Sequence, residues 1–410
     1  MLAERFRAAV AKSKDPGMYT EGVSDVLYPT GFLSLDFLNG TVKHVKSDNK
    51  EFTYNAVGIV DGSATTVIGR YGCGKTTLLI QMAGNIIRPF KSSCIFHDDM
   101  EGGSSEERRK QLVGMTKDEY KDRYIYRNSG INTENVYSRI KMIHDLKIEN
   151  RKEYEYDTGL FDTNGNRIFK LEPTVYILDS IPMLMPKDLA EDDELAAGMD
   201  ATSIAKKNTG LFKSISQLLK DANIMLFSVN HILDEIVINP MQRKKAALAY
   251  LKQGERLTGG KAAVYLANNM FRVDDNAKLK PEEGFGILGA IVDIQILKSR
   301  TNKSGRTIPL VLDLDTGFDP ILSLFQLLKA NNKINGAGSY LYIGDRNDYK
   351  FSQKKFKEVL ATNVELQKIF SEACKEILVE FLYDPEEEEE ISDNNESTKM
   401  PDINSMILSM

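Results

Sequence analysis

The sequence has few of the features that mark membrane-spanning, secreted or zinc-binding proteins. Its 410 residues include no apolar run of about 18, the length that a helix needs to cross a bilayer, so a membrane span is excluded. The first residues, MLAERFRAAVAKSK, lack the apolar stretch of a signal peptide and favour a short amphipathic helix. Cys73, Cys94 and Cys374 are too few and too scattered for a disulfide framework or a zinc site. We therefore expect a cytoplasmic protein with no membrane partner.

Negative charge is concentrated at the carboxyl end. Residues 384–410 hold nine acidic residues and one lysine, a net charge of −8, whereas the whole chain carries −6. Residues 1–383 therefore carry +2, the difference between the two. Pro385 and the glutamate run after it predict a disordered tail over 384–410. Because basic clusters remain in the near-neutral body, the acidic total does not exclude a nucleic-acid partner.

Short apolar segments alternate with helical segments through most of the chain. Strands are predicted at 64–68, 93–96, 175–178, 224–229 and 291–297. Strands separated by helices favour an α/β core with a mainly parallel sheet covered on both faces.

Other segments interrupt or follow this pattern. Two of them, 42–57 and 153–169, are typical of surface hairpins. After about residue 330 helical periodicity dominates. The shift predicts a small, α-rich carboxyl-terminal domain over 331–383.

A glycine-rich turn follows the first predicted strand. Residues 69–76 fit the spacing G-x-x-x-x-G-K-[ST] between a strand and a helix, the context in which such a loop binds phosphate. Its glycines let backbone N–H groups converge on phosphate oxygens, and the helix N-terminus adds a favourable dipole. Lys75 is expected to reach the β- and γ-phosphates, and the Thr76 hydroxyl to bind Mg²⁺. The residues expected to hold the nucleoside triphosphate are Gly69, Arg70, Tyr71, Gly72, Cys73, Gly74, Lys75, Thr76 and Thr77.

Acidic residues follow two of the other strands. Asp179 ends the strand 175–178, where its carboxylate can hold the water shell of Mg²⁺. The strand 93–96 runs into His-Asp-Asp-Met-Glu, which offers Asp98, Asp99 and Glu101 as the carboxylate that orients or deprotonates water. These residues alone leave open which of the three acts.

Further segments, in order along residues 28–330, resemble the RecA family of homologous recombinases, and within it the bacteriophage UvsX type. The resemblance implies a RecA-like ATPase core over 29–330, preceded by an N-terminal oligomerisation arm over 1–28. The segments that carry it are TGFLSLD at 30–36, LDSIPMLMPK at 178–187, SVNH at 228–231, LTGGKA at 257–262 and LKSRT at 297–301.

The resemblance also bears on the acidic segment. Glu101 matches the family's catalytic glutamate if one extra residue is allowed in HDDME. Without that gap Met100 takes the position, which cannot activate water, and Asp98 or Asp99 would be the base.

Five more roles are implied by position in the family pattern. Asn230 and His231 match residues that sense the γ-phosphate, which makes Asn230 part of the nucleotide site. Lys298 and Arg300 match cations that reach the γ-phosphate of a neighbouring subunit's ATP and stabilise charge in the transition state. Arg109 falls where the family stacks an aromatic ring on adenine, and a guanidinium plane can take that place. The implied catalytic group is Glu101, Lys75, Lys298, Arg300 and His231.

Two loops are expected to contact DNA. The first, at about 188–203, is acidic and gives way to two lysines on a helix, whereas the second, at about 232–258, is rich in basic residues. Lysine and arginine supply contacts to phosphate that do not depend on base sequence. The expected DNA-binding residues are Lys206, Lys207, Arg243, Lys244, Lys245, Lys252, Arg256, Gly259 and Gly260.

Taken together, the resemblance implies an ATP- and Mg²⁺-dependent DNA recombinase that acts in phage recombination, repair and recombination-dependent replication. It would polymerise on single-stranded DNA as a helical filament and exchange strands with homologous double-stranded DNA. A single-stranded-DNA-binding protein and a loading mediator are implied partners, in the host cell's cytoplasm if the gene is phage-borne. The alternatives are a RecA-core hexameric helicase or ring ATPase, and a regulatory RecA-like paralogue without strand exchange.

Overall fold

The computed structural model describes residues 25–47, 50–162, 165–190, 201–235, 251–258, 264, 267–280, 287–338 and 340–384. Several predicted features lie outside these residues. They are residues 1–24 of the N-terminal arm, 191–200 of the first DNA loop, 236–250 of the second, and the tail from residue 385.

The described part of the chain contains eighteen strands, ten of which form one sheet. The strands are β1 (Leu27–Tyr28), β2 (Thr41–Ser47), β3 (Lys50–Ala56), β4 (Ile59–Val60), β5 (Ala64–Gly69), β6 (Ile95–Asp99), β7 (Tyr124–Arg127), β8 (Glu155–Phe161), β9 (Arg167–Leu171), β10 (Thr174–Asp179), β11 (Ile224–Asp234), β12 (Glu255–Leu257), β13 (Asn269–Leu279), β14 (Gly289–Lys298), β15 (Thr307–Asp313), β16 (Gly317–Asp319), β17 (Ile334–Ala337) and β18 (Tyr340–Ile343). The large sheet has the order β16-β15-β14-β13-β5-β11-β10-β6-β7, with β12 paired to β11.

The helices follow the strands along the chain. They are α1 (Leu33–Leu38), α2 (Lys75–Ile87), α3 (Glu106–Val113), α4 (Lys117–Arg123), α5 (Thr133–Glu149), α6 (Arg151–Tyr154), α7 (Lys187–Ala190), α8 (Ala201–Asp221), α9 (Pro320–Ala330), α10 (Phe356–Thr362) and α11 (Val364–Val379). Among the described residues, no helix combines the length and the apolar character needed to cross a bilayer.

The sheet is parallel from β13 to β7 and antiparallel from β13 to β16. All six residues of β10 are buried, as expected for a central strand covered on both faces. The predicted α/β core with a mainly parallel sheet is therefore confirmed. The segment 291–297, grouped in the prediction with the parallel strands, lies in β14, which runs antiparallel to both neighbours. An apolar run shows that a strand is buried but does not encode its direction, which is set by the connections on either side.

Helices pack on both faces because alternate residues of each central strand point to opposite sides. Tyr176 and Leu178 of β10 pack in one hydrophobic cluster with apolar residues of α5 and α8. Val175 and Ile177 pack in another with residues of α2. The carboxyl ends of β5, β6, β10 and β11 therefore meet at one edge between two layers of helices.

The two predicted surface hairpins are confirmed as β2–β3 and β8–β9, both antiparallel pairs. Helical structure after residue 330 is confirmed by α10 and α11, which follow a β17–β18 hairpin that the sequence did not indicate. Leu366 and Phe370 of α11 belong to the same hydrophobic cluster as Leu35 of α1. This segment therefore packs directly on the core, and its standing as a separate domain stays a prediction.

Candidate phosphate-binding site

The glycine-rich turn between β5 and α2 requires glycine at two positions. Gly74, the residue before α2, has a φ of +85°, and a Cβ there would lie 2.9 Å from Leu312 Cδ2. At Gly69 a Cβ would lie 2.5 Å from the carbonyl oxygen of Val273 on β13. No side-chain group caps the first backbone N–H groups of α2. These donors and the helix dipole favour an anion at this end of the helix.

Lys75, the first residue of α2, is 5% exposed. Its Nζ donates to the carbonyl oxygen of Arg70 at 2.6 Å and lies 3.8 Å from Cys73 Sγ. The same ammonium lies 5.8 Å from the centre of the Tyr71 ring. Because a carbonyl and a ring carry no net charge, the positive charge of Lys75 stays available to an anion that enters the turn.

Asp179 and Thr76 form the next part of the site. The Thr76 hydroxyl donates to Asp179 Oδ2 at 2.5 Å, whereas Asp179 Oδ1 is buried without a hydrogen-bond partner. The pKa of Asp179 is raised to about 7, chiefly by burial and also by the carboxylates of Glu101 and Asp99, against the opposing hydrogen bond from Thr76. An orphaned carboxylate oxygen beside a hydroxyl fits a hard divalent cation such as Mg²⁺.

Protein side chains alone would not complete such a cation's coordination shell. Within the described part of the chain, no group of three or more His, Cys, Asp or Glu side chains is arranged to hold a metal ion. Mg²⁺ usually takes one or two protein ligands and completes its shell with water and phosphate oxygens. Thr76 and Asp179 therefore fit a magnesium ion that arrives with a phosphate.

The three candidate acids after β6 have different surroundings. Asp98 is buried and accepts from Arg139 Nη1 at 2.7 Å and from the hydroxyl of Tyr176. Asp99 Oδ1 accepts the backbone N–H groups of Glu101 and Gly102, at 3.1 and 2.7 Å. Asp98 thus joins α5 and β10, whereas Asp99 holds the backbone that directly follows β6.

Glu101 is the candidate acid whose carboxylate contacts Ser180 and His231 directly. Its Oε1 accepts from Ser180 Oγ at 2.5 Å and lies 2.6 Å from His231 Nε2. Ser180 directly follows Asp179, so Glu101 reaches the carboxyl ends of both β10 and β11. This geometry favours Glu101 over Asp98 and Asp99 as the group that orients water.

Asn230 and His231 lie beside the turn because β11 pairs with β5 in the register Asn230–Ile68 and His231–Gly69. The Tyr71 ring stacks on the imidazole with 4.2 Å between centroids. Burial and the nearby Lys75 lower the pKa of His231, against the opposing effect of Glu101. A neutral imidazole that donates from Nε2 to Glu101 leaves Nδ1 as an acceptor, and Nδ1 is buried without a partner.

The amide of Asn230 connects the site to the second predicted loop. Its Oδ1 accepts from the backbone N–H of His231 at 2.7 Å and from the Thr258 hydroxyl at 3.2 Å. Its Nδ2 is buried without a hydrogen-bond partner. An acceptor at this position, such as a phosphate oxygen or a water, would satisfy that donor.

Arg109 has a different environment from the one that its expected role requires. It lies on α3, is 5% exposed, and its guanidinium carbon is 3.4 Å from the centre of the Tyr126 ring. The same group donates to the hydroxyl of Tyr120 at 3.1 Å and to the carbonyl of Ser104. An adenine can therefore stack on it only after these contacts rearrange.

Lys298 and Arg300 are not brought to the glycine-rich turn of their own chain. Lys298 of β14 pairs with Met270 of β13, and Met270 pairs with Thr66 of β5. Lys298 therefore lies level with the middle of β5 and not with the turn that follows this strand. Beyond Lys298 the chain continues toward the amino ends of the parallel strands, where Arg300 is exposed. Burial and the adjacent Arg300 lower the pKa of Lys298.

The predicted DNA-binding residues fall into three groups. Lys206 and Arg256 are exposed. Lys207 donates to both carboxylate oxygens of Asp188 at 2.5 Å, and Lys252 to Asp274 at 3.1 Å. Arg243, Lys244, Lys245, Gly259 and Gly260 lie outside the described residues.

Sequence reasoning missed two features of this edge. Ser180 was identified only as part of a motif, although its place after a strand-ending aspartate could have indicated a site role. Arg272, 2% exposed on β13, pairs with Glu255 through two hydrogen bonds of 2.8 Å. No local pattern indicates a buried ion pair whose partners meet only through sheet register.

The fold and the site define an α/β protein whose sheet edge is suited to a phosphate group and a divalent cation. No protein-family model matches the chain, and a search of curated proteins found no match. The assignment beyond this class therefore depends on the chemistry of the site.

Proposed function

We propose that this chain is an ATP-hydrolysing DNA recombinase with a RecA-like core. The observation that carries the proposal is the convergence of Lys75, Thr76, Asp179, Glu101 and His231 at one sheet edge. The order and spacing of the family-like segments over residues 28–330 support it independently.

ATP binding uses the turn and the start of α2. Lys75 and the backbone N–H groups of the first helical turn bind the β- and γ-phosphates. Thr76 and Asp179 hold Mg²⁺, which when bound neutralises phosphate charge. Burial of Lys75 strengthens its attraction for the phosphates because the surrounding dielectric is low.

Hydrolysis depends on Glu101. Its carboxylate orients the attacking water and accepts a proton from it. Ser180 and His231 donate to the same oxygen, Oε1, and so fix the direction of the carboxylate. Burial lowers the pKa of His231 and so favours its neutral form, in which the Nε2–H group donates to Glu101.

DNA binding is coupled to this site through β11. The strand ends at Asp234, and β12 returns along it from Glu255, so the two strands form the stem of the basic segment 236–250. Lysine and arginine in such a segment bind the backbone of single-stranded DNA irrespective of sequence. Homology is then tested by base pairing with the double-stranded partner.

Assembly into a helical filament completes the proposed active site. Lys298 and Arg300 lie away from the turn of their own chain, so they reach the γ-phosphate bound by a neighbouring copy. A head-to-tail interface generates an open helix when the rotation between successive copies does not close a ring. In a cytoplasmic setting the filament forms on DNA handled by a single-stranded-DNA-binding protein and a loading mediator.

The ATPase assignment is tested with Glu101→Gln. Without a carboxylate to accept the proton, DNA-stimulated phosphate release should fall by about 10²- to 10⁴-fold. Binding of a fluorescent ATP analogue should persist, whereas Lys75→Ala should weaken it. Glu107→Gln, an exposed acid on α3, is the matched control and should keep full turnover. Wild-type turnover in Glu101→Gln would remove Glu101 from the mechanism.

The recombinase assignment is tested by three-strand exchange with circular single-stranded and linear double-stranded DNA. Joint molecules that require ATP are the expected result. DNA-stimulated ATPase with duplex unwinding by closed rings would instead favour the helicase or ring ATPase. ATP binding without DNA-stimulated turnover would favour the regulatory paralogue.

A further inference from the structure

Two adjacent residues of the glycine-rich turn contact the end of β11. Tyr71 stacks on His231, as described above. The guanidinium of Arg70 donates to both carboxylate oxygens of Asp234, the last residue of β11, at 2.8 and 2.6 Å. The turn therefore contacts both the first and the last of the final four residues of β11, His231 and Asp234.

The returning strand of the stem is anchored separately. In β12, Glu255 pairs with Asp234 across the two strands. Glu255 is 6% exposed and binds the guanidinium of Arg272 on β13, a strand that pairs directly with β5. Arg272 also donates to Asp274 at 2.7 Å. Breaking such a buried pair leaves an uncompensated charge, so this side of the stem is fixed.

The Arg70–Asp234 pair is exposed and therefore easier to break. The two side chains are 54% and 67% exposed, so solvent and salt screen their attraction. Glu255 lies 3.9 Å from Arg70, which places the exposed pair beside the buried one. The stem thus has a fixed side and a releasable side.

The releasable pair is connected to the phosphate-binding lysine. Lys75 Nζ donates to the carbonyl oxygen of Arg70, the same residue whose side chain binds Asp234. Phosphate oxygens in the turn compete with that carbonyl for Lys75 and compete with Asp234 for the guanidinium, since arginine binds phosphate and carboxylate alike. A triphosphate therefore weakens the hold of the turn on the stem from two directions.

We propose that Arg70 and Asp234 form a positioning pair that ties the stem β11–β12 to the glycine-rich turn and is released by a bound triphosphate. The inference rests on the proposed function and deepens it, because release of the stem raises the affinity of the protein for single-stranded DNA. Asp234 is a positioning residue that acts through Arg70 and contacts neither phosphate nor DNA in this proposal.

The test measures backbone hydrogen exchange at residues 233–235, the end of β11 that the exposed pair holds, with and without a slowly hydrolysed ATP analogue, in the full chain and without DNA. In the wild type the analogue should speed exchange by about two- to five-fold, the range expected for loss of one exposed pair. Asp234→Asn should show fast exchange already, with little further effect of the analogue. Asp234→Glu keeps the pair and should behave as the wild type does.

A matched control and a second readout separate this inference from the proposed function. Asp145→Asn removes an exposed pair with Lys141 on α5 and should leave exchange at residues 233–235 unchanged. The increase in affinity for oligodeoxythymidine caused by the analogue should shrink by about two- to five-fold in Asp234→Asn. An Asp234→Asn protein that exchanges and responds as the wild type does would overturn the pair's role while leaving the recombinase proposal intact. Failure of strand exchange in the wild type, with the expected exchange pattern, would overturn only the recombinase proposal.

Discussion

Lys147 of α5 carries an ammonium group into the protein interior. The side chain is 4% exposed, and Nζ donates to the carbonyl oxygen of Glu172 at 2.6 Å, the Thr174 hydroxyl at 3.1 Å and the carbonyl oxygen of Asn223 at 3.4 Å. Burial lowers its pKa to about 7, and the carboxylate of Glu172 offsets only part of the effect. The group joins the starts of β10 and β11, so its charge state bears on the stability of the central sheet.

This residue predicts a pH dependence of stability. The pKa of Lys147 is about 7 in the folded chain against 10.5 for an ordinary lysine, so the unfolded state binds more protons between these values. The free energy of unfolding should therefore rise with pH across that window, with Lys147 contributing about 1 kcal/mol per pH unit. Urea denaturation of Lys147→Met between pH 7 and 9.5 should show a flatter profile than the wild type.

The exposed Lys152 on α6 supplies the control for that measurement. Lys152→Met should keep the slope of the wild type because it leaves the buried ammonium group of Lys147 in place. Parallel profiles for Lys147→Met and the wild type would contradict the assignment of the slope to Lys147.

Residues of the site differ in how far the sequence identifies them. Lys75 and Thr76 are set by a local spacing, and Asp179 by its place after a buried strand, so these were predictable. Which acid faces the site was not predictable, because the partners of Asp98 and Glu101 come from elements far away in the chain. The contact of Arg109 with Tyr126 likewise depends on how α3 packs against β7.

Among the secondary-structure elements, α2 and α3 approach closely at Gly84. A Cβ at this position would lie 2.5 Å from the carbonyl oxygen of Val113 and 2.9 Å from its Cγ2. Because the helix that follows the glycine-rich turn is held here against α3, the contact also fixes the direction of α2. The sequence predicts the helix α2 but not its close contact with α3 at Gly84. Glycine inside a helix usually indicates low helix stability and not a packing contact.

Substitution at two helical glycines should have opposite effects on stability. Gly84→Ala should lower the free energy of unfolding by about 1–3 kcal/mol, because the methyl group overlaps a backbone carbonyl that cannot move alone. Gly210→Ala on α8 should raise it by about 0.5–1 kcal/mol, since no atom lies within 4 Å of the added Cβ. Chemical denaturation of both variants checks the pair, and equal shifts of the same sign would contradict the packing argument.

The sequence predicts where strands lie but not whether they run parallel or antiparallel to their neighbours. The pattern of apolar and polar residues predicted the central strands and both hairpins, because burial on one or two faces determines which positions of a strand are apolar. The antiparallel course of β14 was not, and neither was the β11–β12 stem, in which a strand continues past the sheet edge to Asp234. Both depend on long-range pairing rather than on local pattern.

In the whole molecule, Lys75, which is proposed to bind the phosphates, and Lys298, which is proposed to act on a neighbouring copy, lie at different places on the sheet. Lys75 begins α2 at the carboxyl edge, whereas Lys298 is level with Thr66 and the chain then runs toward the amino edge. One copy therefore does not bring both to the same phosphate, and in the proposed filament two copies arranged head to tail would complete the site.

Mixing two inactive variants tests this arrangement. Lys75→Ala removes phosphate binding and Arg300→Ala removes the cation supplied to the neighbour, so each filament alone should have little ATPase activity. In an equal mixture, about a quarter of the interfaces combine an intact Lys75 with an intact Arg300 from the adjacent copy. DNA-stimulated phosphate release should recover to roughly that fraction of the wild-type rate, because charge in the transition state is again stabilised there.

Mixing Lys75→Ala with Glu101→Gln should restore much less, since a productive site needs both residues from the same copy. A mixture of Lys75→Ala and Arg300→Ala that stays inactive on single-stranded DNA would show that Arg300 does not act across the interface.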